Sequence, residues 1–347
     1  MLCFSPSDRK PYAGERNGKM RCSIAAALRI LSAFALLPAS VQQAPAQDNY
    51  PARPIRIIVP TAAGGGSDAS ARLVSQELPK RWRQPVVVEN RAGAGTIVGT
   101  EIVAKAPADG YTLLMAPGAF ATNPSTYRKL PFDTLRDFAP ISQAVAVPQL
   151  ICVHPSVPAR TVKELIALAK ARPGELQYAA AGHGTLPHLT MELFALMAQI
   201  RLVNVPYKGG APGIIDLLGG RLSLTATSSM SLVIPHVRAG RLRAIGVTTA
   251  ARIAVLPDIP TIAEAGLPGF EAVQWAGLLA PAGTSREIIS KLHKEVAAIL
   301  RSPEARERLA RDGNEVVAGS PEEFAAFIRA EIVKWAKVVK AAGIEPE

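Results

Sequence analysis

The chain has 347 residues, of which 48% are hydrophobic and 19% are charged, and its formal net charge is +11. This apolar content supports a sizeable core and excludes a globally disordered chain. Three cysteines are too few for a disulfide scaffold, and no basic block is interleaved with aromatic residues, which argues against nucleic-acid binding. The length predicts two domains or one large one.

Residues 1–46 are predicted to be a secretory signal peptide. An apolar run, Ile30–Ala39, precedes Ala44-Pro45-Ala46, a tripeptide typical of signal peptidase sites. The run is too short to span a bilayer, which needs about 20 residues. This segment holds six of the 39 basic and two of the 28 acidic residues, so cleavage leaves 33 and 26, a net charge of +7. Met20 is an alternative start. We expect an exported protein without a lipid anchor.

The first part of the mature chain alternates strands and helices. Short apolar runs predict strands at 55–59, 86–89 and 111–115. Helices are predicted around Leu73, which follows a glycine-rich loop, and over 97–105. Alternation of this kind implies parallel βαβ units.

Two longer strand-like runs, 141–153 and 273–280, are predicted to cross between two lobes. The segment between them is predicted to be a self-contained α/β block. Its predicted elements are helices at 161–171, 185–199 and 211–218 and strands at 176–179, 202–205, 222–227 and 244–248. After Pro281 the chain is predicted to be helical and to pack back on the first lobe. Capping boxes predict helix starts at Thr161, Thr284 and Ser320.

Two glycine-rich loops, each between a strand and a helix, are the candidate binding elements. The first contains Gly64-Gly65-Gly66-Ser67-Asp68 and the second Ala181-Gly182-His183-Gly184-Thr185. Glycines leave backbone N–H groups accessible, and a helix N-terminus adds partial positive charge, so each loop is a candidate anion site. One loop per lobe would form a two-jawed clamp. Each loop is also compatible with an ordinary tight turn before a helix.

Three other chemistries have weaker motifs. Gly65-Gly66-Ser67-Asp68-Ala69 approaches the nucleophile elbow, which leaves an exported serine esterase using Ser67 as an alternative. Gly93-Ala94-Gly95 lacks the third glycine of a dinucleotide fingerprint at the required spacing. His183 and His188 are five residues apart without accompanying cysteines or a carboxylate cluster, so we predict no metal site.

A series of short motifs runs through residues 50–347. In chain order they include Tyr50-Pro51-Ala52-Arg53-Pro54, Gln84-Pro85-Val86-Val87-Val88-Glu89-Asn90-Arg91, Asp109-Gly110-Tyr111-Thr112-Leu113-Leu114, Val205-Pro206-Tyr207-Lys208-Gly209, Leu256-Pro257-Asp258-Ile259-Pro260-Thr261 and Gly277-Leu278-Leu279-Ala280-Pro281-Ala282-Gly283-Thr284. In this order they resemble the substrate-binding proteins of the tripartite tricarboxylate transporter system, the Bug (Bordetella uptake gene) family.

The resemblance implies an α/β, periplasmic binding protein-like fold of type II, with two α/β lobes joined by crossing strands and a ligand cleft between them. Lobe one is predicted to comprise residues 47–146 plus 275–347, and lobe two residues 147–274. The implied function is capture of a small carboxylate in the periplasm and its delivery to an inner-membrane permease, without catalysis or cofactor. We expect a monomer that binds no nucleic acid. A ligand-sensing subunit of a signalling system is the alternative.

The predicted ligand-binding residues come from both lobes. They are Ala63, Gly64, Gly65, Gly66, Ser67, Asp68, Ala119, Gly182, His183, Gly184, Thr185, Tyr207, Lys208, Thr227 and Ser228. The chain departs from the family pattern at Thr61, where an aromatic residue is usual, and over 222–231. The hydroxyls of Thr225, Thr227 and Ser228 would favour a polar ligand.

Overall fold

The computed structural model describes residues 50–311 and 313–347, so the predicted signal peptide lies outside the described residues. The regular elements, in chain order, are β1 (Ile55–Val59), α1 (Gly66–Trp82), β2 (Val86–Asn90), α2 (Ile97–Ala104), β3 (Thr112–Pro117), α3 (Ala119–Thr126), β4 (Phe138–Val147), β5 (Leu150–Val153), α4 (Val162–Ala171), β6 (Gln177–Ala180), α5 (Leu186–Ala198), β7 (Val203–Pro206), α6 (Gly210–Leu218), β8 (Leu224–Thr227), α7 (Met230–Arg238), β9 (Arg243–Val247), β10 (Gln274–Pro281), α8 (Arg286–Leu300), α9 (Pro303–Arg311), β11 (Glu315–Val316) and α10 (Pro321–Ala341).

The first sheet has six strands in the order β11-β4-β10-β3-β1-β2. Strand β1 pairs in parallel with β2 and β3, as the βαβ pattern predicts, whereas β10 runs antiparallel to both β3 and β4. Successive side chains of a strand face opposite sides of its sheet. Ile57 therefore packs in the hydrophobic cluster that includes α1 and α8, and Ile58 in the cluster that includes α3 and α10. Helices on both faces explain why β1 is almost wholly apolar.

The second sheet has five strands in the order β7-β6-β8-β5-β9. Strand β6 pairs in parallel with β7 and β8, and β5 runs antiparallel to β8 and β9. One hydrophobic cluster on this sheet includes residues of α4 and α5, and another includes residues of α6 and α7. Both faces of the second sheet are thus covered by helices, as in the first.

The chain passes from one sheet to the other twice. Strand β4 of the first sheet leads through Pro148-Gln149 into β5 of the second, and after β9 the chain returns to the first sheet as β10. The C-terminal helix α10 contacts both sheets. Its Phe324 belongs to a hydrophobic cluster of the first sheet, whereas its Trp335 belongs to a cluster of the second. The packing of this helix therefore extends beyond the first lobe, and the lobe boundaries given above stay a prediction.

The first turns of the helices show which of the predicted capping boxes form. The box at Ser320 is confirmed, because its hydroxyl accepts a hydrogen bond from Glu323 N–H and the Glu323 carboxylate accepts one from Ser320 N–H. The box at Thr284 is wrong. Helix α8 is capped by Ser285 instead, and the Thr284 hydroxyl donates to the carbonyl oxygen of Pro281. Among the described residues, no helix has both the length and the apolar character needed to cross a bilayer.

Candidate functional site

The first glycine-rich loop leads from β1 into α1. Gly64 has φ +91°, a left-handed backbone conformation that favours glycine. Gly65 is the N-cap residue of α1 and has an ordinary extended conformation with φ −83°. Within the described structure no side chain caps this helix. The N–H groups of its first turn are therefore free to bind an external acceptor.

Asp68 organises this loop. One carboxylate oxygen, Oδ2, accepts hydrogen bonds from Gly64 N–H at 2.9 Å and Arg72 Nε at 2.8 Å, and Oδ1 accepts one from Asn90 Nδ2 at 2.9 Å. Burial acts to raise the pKa of the Asp68 carboxyl, but the hydrogen bonds from Arg72, Gly64 and Asn90 together lower it below its usual range. The ionised carboxylate thus accepts three hydrogen bonds from within the protein, and through Gly64 N–H it holds the loop in its conformation.

Replacing Asp68 with alanine is expected to destabilise the protein. The change removes the acceptor of Gly64 N–H and one acceptor each of Asn90 and Arg72, at a cost of about 1–3 kcal/mol. Chemical unfolding at pH 7 measures this loss. Glu77→Ala is the matched control, since Glu77 lies on the same helix in an exposed ion pair with Lys80, worth at most about 0.5 kcal/mol. Equal stability of the two variants would contradict the role given to Asp68.

The second glycine-rich loop leads from β6 into α5. Gly182 and Gly184 have φ +139° and +65°. Thr185 is the N-cap residue of α5, but its hydroxyl donates to the Gly182 carbonyl oxygen at 2.8 Å and does not cap the helix. Gly184 N–H donates to Nδ1 of the buried His188 at 3.1 Å. Burial, reinforced by the nearby His183, lowers the pKa of His188 to about 4, so Nδ1 is an acceptor at neutral pH.

Two adjoining cavities lie where four helices begin. The first cavity, of about 220 Å³, is lined by residues at the starts of α5, α6 and α7 and by Gln274. The second cavity, of about 360 Å³, is lined by Gly64–Gly66 from the start of α1, by the start of α7 and by Asn314. Ser228 and Ser229 line both. Elements of the two sheets therefore meet across the second cavity.

The electrostatics of these cavities come from the backbone. None of the described side chains that line either cavity is charged. Each helix N-terminus carries a partial positive charge and unpaired N–H donors. The starts of α1, α5, α6 and α7 thus create a site that favours an anion with several acceptor atoms, such as a carboxylate.

The hydroxyls around the first cavity differ in availability. The Thr225 hydroxyl donates a hydrogen bond to the Ala179 carbonyl oxygen at 3.0 Å, and Thr227 Oγ1 accepts one from Ser229 N–H at 3.1 Å. The hydroxyls of Ser228 and Ser229 have no hydrogen-bond partner among the described residues. The hydroxyls of the two serines can therefore bind a ligand, and the Thr227 hydroxyl can still donate a hydrogen bond to it. The Thr225 hydroxyl already donates within the protein.

The structure places the predicted ligand-binding residues in several different locations. Thr185, Thr227 and Ser228 line the first cavity, and Gly64, Gly65 and Gly66 line the second. A third crevice of about 60 Å³ is lined by Ala119, His183, Gly184 and Thr185. The residues that line none of these three spaces are Ala63, Ser67, Asp68, Gly182, Tyr207 and Lys208.

Two of these residues have other surroundings. The Tyr207 hydroxyl donates to Asp216 Oδ2 at 2.6 Å, and this hydrogen bond is the main reason why the pKa of Tyr207 is raised. Ser67 is buried in the first turn of α1. A serine esterase needs a histidine beside its nucleophile, and no described hydrogen bond joins Ser67 to one.

Gly209, Gly210, Ser229 and Gln274 are among the cavity-lining residues that the sequence did not predict. Gly209 and Gly210 begin α6 after β7, and this repeats the strand–glycine–helix pattern that identified the other two loops. Ser229 lies in the segment 222–231, which departs from the family pattern, but it is not among the predicted site residues. Gln274 begins the return strand β10, and its role is visible only once the two sheets are placed side by side.

Over residues 70–344, the sequence matches the family model described as tripartite tricarboxylate transporter family receptor. The chain belongs to this family. It is 39% identical to the protein BugT of Bordetella pertussis over 298 residues, which cover 85% of this chain and 91% of the relative. The resemblance to the Bug family is thereby confirmed, and the chain is a solute-binding receptor.

Solved structures of relatives share the fold. A Rhodopseudomonas palustris protein solved with adipate is 39% identical with a TM-score of 0.74, and 86% of this chain and 100% of that one are covered. MatC of Rhodopseudomonas palustris, solved with bound malate, is 31% identical with a TM-score of 0.70, covering 84% and 100%. BugD, described as a periplasmic binding protein, is 35% identical with a TM-score of 0.70, covering 86% and 100%. The predicted periplasmic binding protein fold is confirmed.

Proposed function

We propose that this receptor captures a small organic carboxylate in the first and second cavities and delivers it to an inner-membrane permease. The observation that carries the proposal is the convergence of four helix N-termini on two adjoining cavities without a charged lining side chain. Backbone donors at helix starts hold a carboxylate without a buried cation. The ligand thus bridges elements of the two sheets and favours their closure around it.

The relatives support the carboxylate class. Adipate and malate, the ligands named for two of the solved relatives, are both small organic acids. The proposed site is periplasmic, because the predicted signal peptide directs export and BugD is described as a periplasmic binding protein. The proposed working form is a monomer.

A thermal-shift screen tests the proposed ligand class. The purified protein, freed of any co-purified ligand by unfolding and refolding, is heated with a panel of organic acids. A ligand at 100 times its dissociation constant adds roughly 2.7 kcal/mol to the free energy of unfolding. We expect at least one small carboxylate to raise the melting temperature by several degrees.

The uncharged and cationic analogues of each acid serve as controls. Methyl esters, alcohols and amines of the same chain length are expected to leave the melting temperature unchanged, because they offer no anionic acceptor to the helix starts. A shift produced equally by an acid and its methyl ester would contradict the anion site.

A further inference from the structure

The end of the second sheet that faces away from the cavities is built from five turns. Strand β5 ends there, and β6, β7, β8 and β9 begin there, because β5 runs antiparallel to β8 and β9. The cavities lie at the other ends of these strands, where the second glycine-rich loop follows β6 and Ser228 follows β8. We call this surface the distal pole, and its turns are residues 154–161, 172–176, 199–202, 219–223 and 238–243.

Hydrogen bonds join neighbouring turns of the distal pole. Gly174 N–H donates to the carbonyl oxygen of Arg201 at 3.1 Å, and His154 N–H donates to that of Ser223 at 3.0 Å. The half-buried Arg243 donates from Nη1 to two carbonyl oxygens of the turn after β5, at 2.9 and 3.3 Å. Since β6 also pairs with β8, the turns form one continuous surface.

Arginine dominates the charge of this surface. The five turns contain one acidic residue, Glu175, and no lysine. Their seven arginines are Arg160, Arg172, Arg201, Arg221, Arg238, Arg241 and Arg243. Arg221 pairs with Asp216 of α6, and Arg172 lies 4.0 Å from Glu175. Four more of these arginines are exposed and form no ion pair with any described residue: Arg160, Arg201, Arg238 and Arg241.

The helix ends at this surface do not neutralise its arginines. Helices α4, α5, α6 and α7 end at the distal pole, and each C-terminus carries about half a negative charge, so together they offset about two arginines. At the corresponding end of the first sheet, where β1 and β4 begin, Arg53 is paired with Asp109 and Arg136 with Asp133. The distal pole thus keeps a local excess of unpaired positive charge.

The chemistry of the distal pole fits a layer of phosphate groups better than a protein partner. Protein interfaces have an apolar centre enriched in aromatic residues. The five turns contain no aromatic residue, and none of the large apolar side chains that are exposed lies in them. Guanidinium groups donate paired hydrogen bonds to phosphate oxygens. A bilayer with anionic phospholipids presents many such phosphates and attracts arginines without any apolar contact.

We infer that the distal pole binds the anionic phospholipid surface of a bilayer. Each arginine near such a surface contributes about fivefold to binding, so the contact is weak enough to be reversible. Helix α5 spans 13 residues, so about 20 Å separate the distal pole from the cavities. In the proposed periplasmic location, the receptor is concentrated at the membrane that contains the permease. This binding does not depend on which solute the cavities hold.

Sedimentation with lipid vesicles tests this binding. The exported protein, purified from the periplasm, is mixed with vesicles of phosphatidylcholine, either pure or with an equal amount of phosphatidylglycerol. We expect binding to the mixed vesicles alone at about 0.1 M ionic strength, and its loss at about 1 M, where the Debye length falls to about 3 Å. Arg238→Gln/Arg241→Gln should weaken binding by about 25-fold, because it removes two exposed cations worth about fivefold each.

Arg286→Gln/Lys294→Gln is the matched control, since it removes the same charge from exposed positions of α8, on the first sheet. At about 0.1 M ionic strength, charges more than about 10 Å from the vesicle are screened, so this variant should bind within about 2-fold of the wild type. Equal losses in the two double variants would mean that net charge alone drives binding, and would overturn the assignment to the distal pole.

Two other outcomes would overturn the bilayer as the partner. One is the absence of binding to the mixed vesicles. The other is binding to soluble polyglutamate without binding to vesicles, which would assign the distal pole to an acidic protein. The thermal shift produced by carboxylates should be the same in the wild type and in both double variants, because the distal pole is remote from the cavities. This shift reports on folding and on the proposed function separately from vesicle binding.

Discussion

Replacing Gly65 with leucine is expected to abolish carboxylate binding and to leave the fold intact. Gly65 has φ −83°, which any residue adopts, and a Cβ atom built there meets no other heavy atom within 4 Å. The leucine is therefore accommodated without strain in the protein alone. Gly65 lines the second cavity beside the start of α1, so the added side chain takes up space that the ligand is proposed to occupy. We expect the dissociation constant to rise by at least about 100-fold.

Calorimetry with the best carboxylate measures the loss, and the melting temperature reports on folding. Gly219→Leu is the control, because Gly219 is an exposed glycine with φ −81° that lines neither cavity. Both variants should melt within about 2 °C of the wild type, as is usual for exposed substitutions. Unchanged affinity in Gly65→Leu would refute a ligand site at the first glycine-rich loop.

Stability is expected to fall by about 3 kcal/mol as the pH decreases from about 6.5 to about 4, through His188 alone. Burial, and then the neighbouring His183, lowers the pKa of His188 from 6.5 to about 4. Between these values the unfolded chain binds a proton that the folded protein does not, so acidification favours unfolding. The ring is packed against Tyr178, and its Nε2 lies 3.7 Å from Glu192 Oε1.

Other groups also titrate in this range, so the contribution of His188 is measured as a difference. Urea unfolding of the wild type and of His188→Asn is compared from pH 7.5 to pH 4. Asparagine does not titrate, and its Oδ1 can accept the Gly184 N–H in place of Nδ1. The variant should lose about 3 kcal/mol less than the wild type across this range. If the free energy of unfolding of the wild type and of His188→Asn changed in parallel with pH, the prediction would be contradicted.

Protonation of His188 also has a local consequence. A protonated Nδ1 cannot accept the hydrogen bond from Gly184 N–H, which holds the second glycine-rich loop in place. That loop provides Thr185 to the first cavity. Acid should therefore loosen one wall of the proposed site before the whole protein unfolds.

Much of the fold follows from the sequence because local signals agree with the tertiary structure. The apolar run at Ile55–Val59 forms a central strand, and the run at 141–153 is a pair of strands separated at Pro148. Helices α3 and α7 were missed, because each is short and contains a proline, Pro124 or Pro235. Intrinsic propensity argues against helices of this kind, and tertiary packing stabilises them here.

The candidate site could be predicted only in part. Glycine-rich turns before helices are visible in a sequence, and they led to Gly64–Gly66 and Thr185, which line the cavities. Gln274 carries no comparable signal, since it enters the cavity through the pairing of β10 with β4 and through the space beside Gly118. Contacts that depend on how distant strands are aligned have no local pattern to reveal them.

Because the lining of the two cavities is uncharged, the affinity for an anion and the preference for a particular anion depend on different groups. Backbone N–H groups at helix starts persist whatever side chains surround them, so most substitutions leave the attraction for a carboxylate in place. Changes at positions such as 228, 229 and 274 can then alter which acid is preferred without first destroying binding. In a receptor built in this way, single substitutions can change the preferred acid, and each variant along the way still binds a carboxylate.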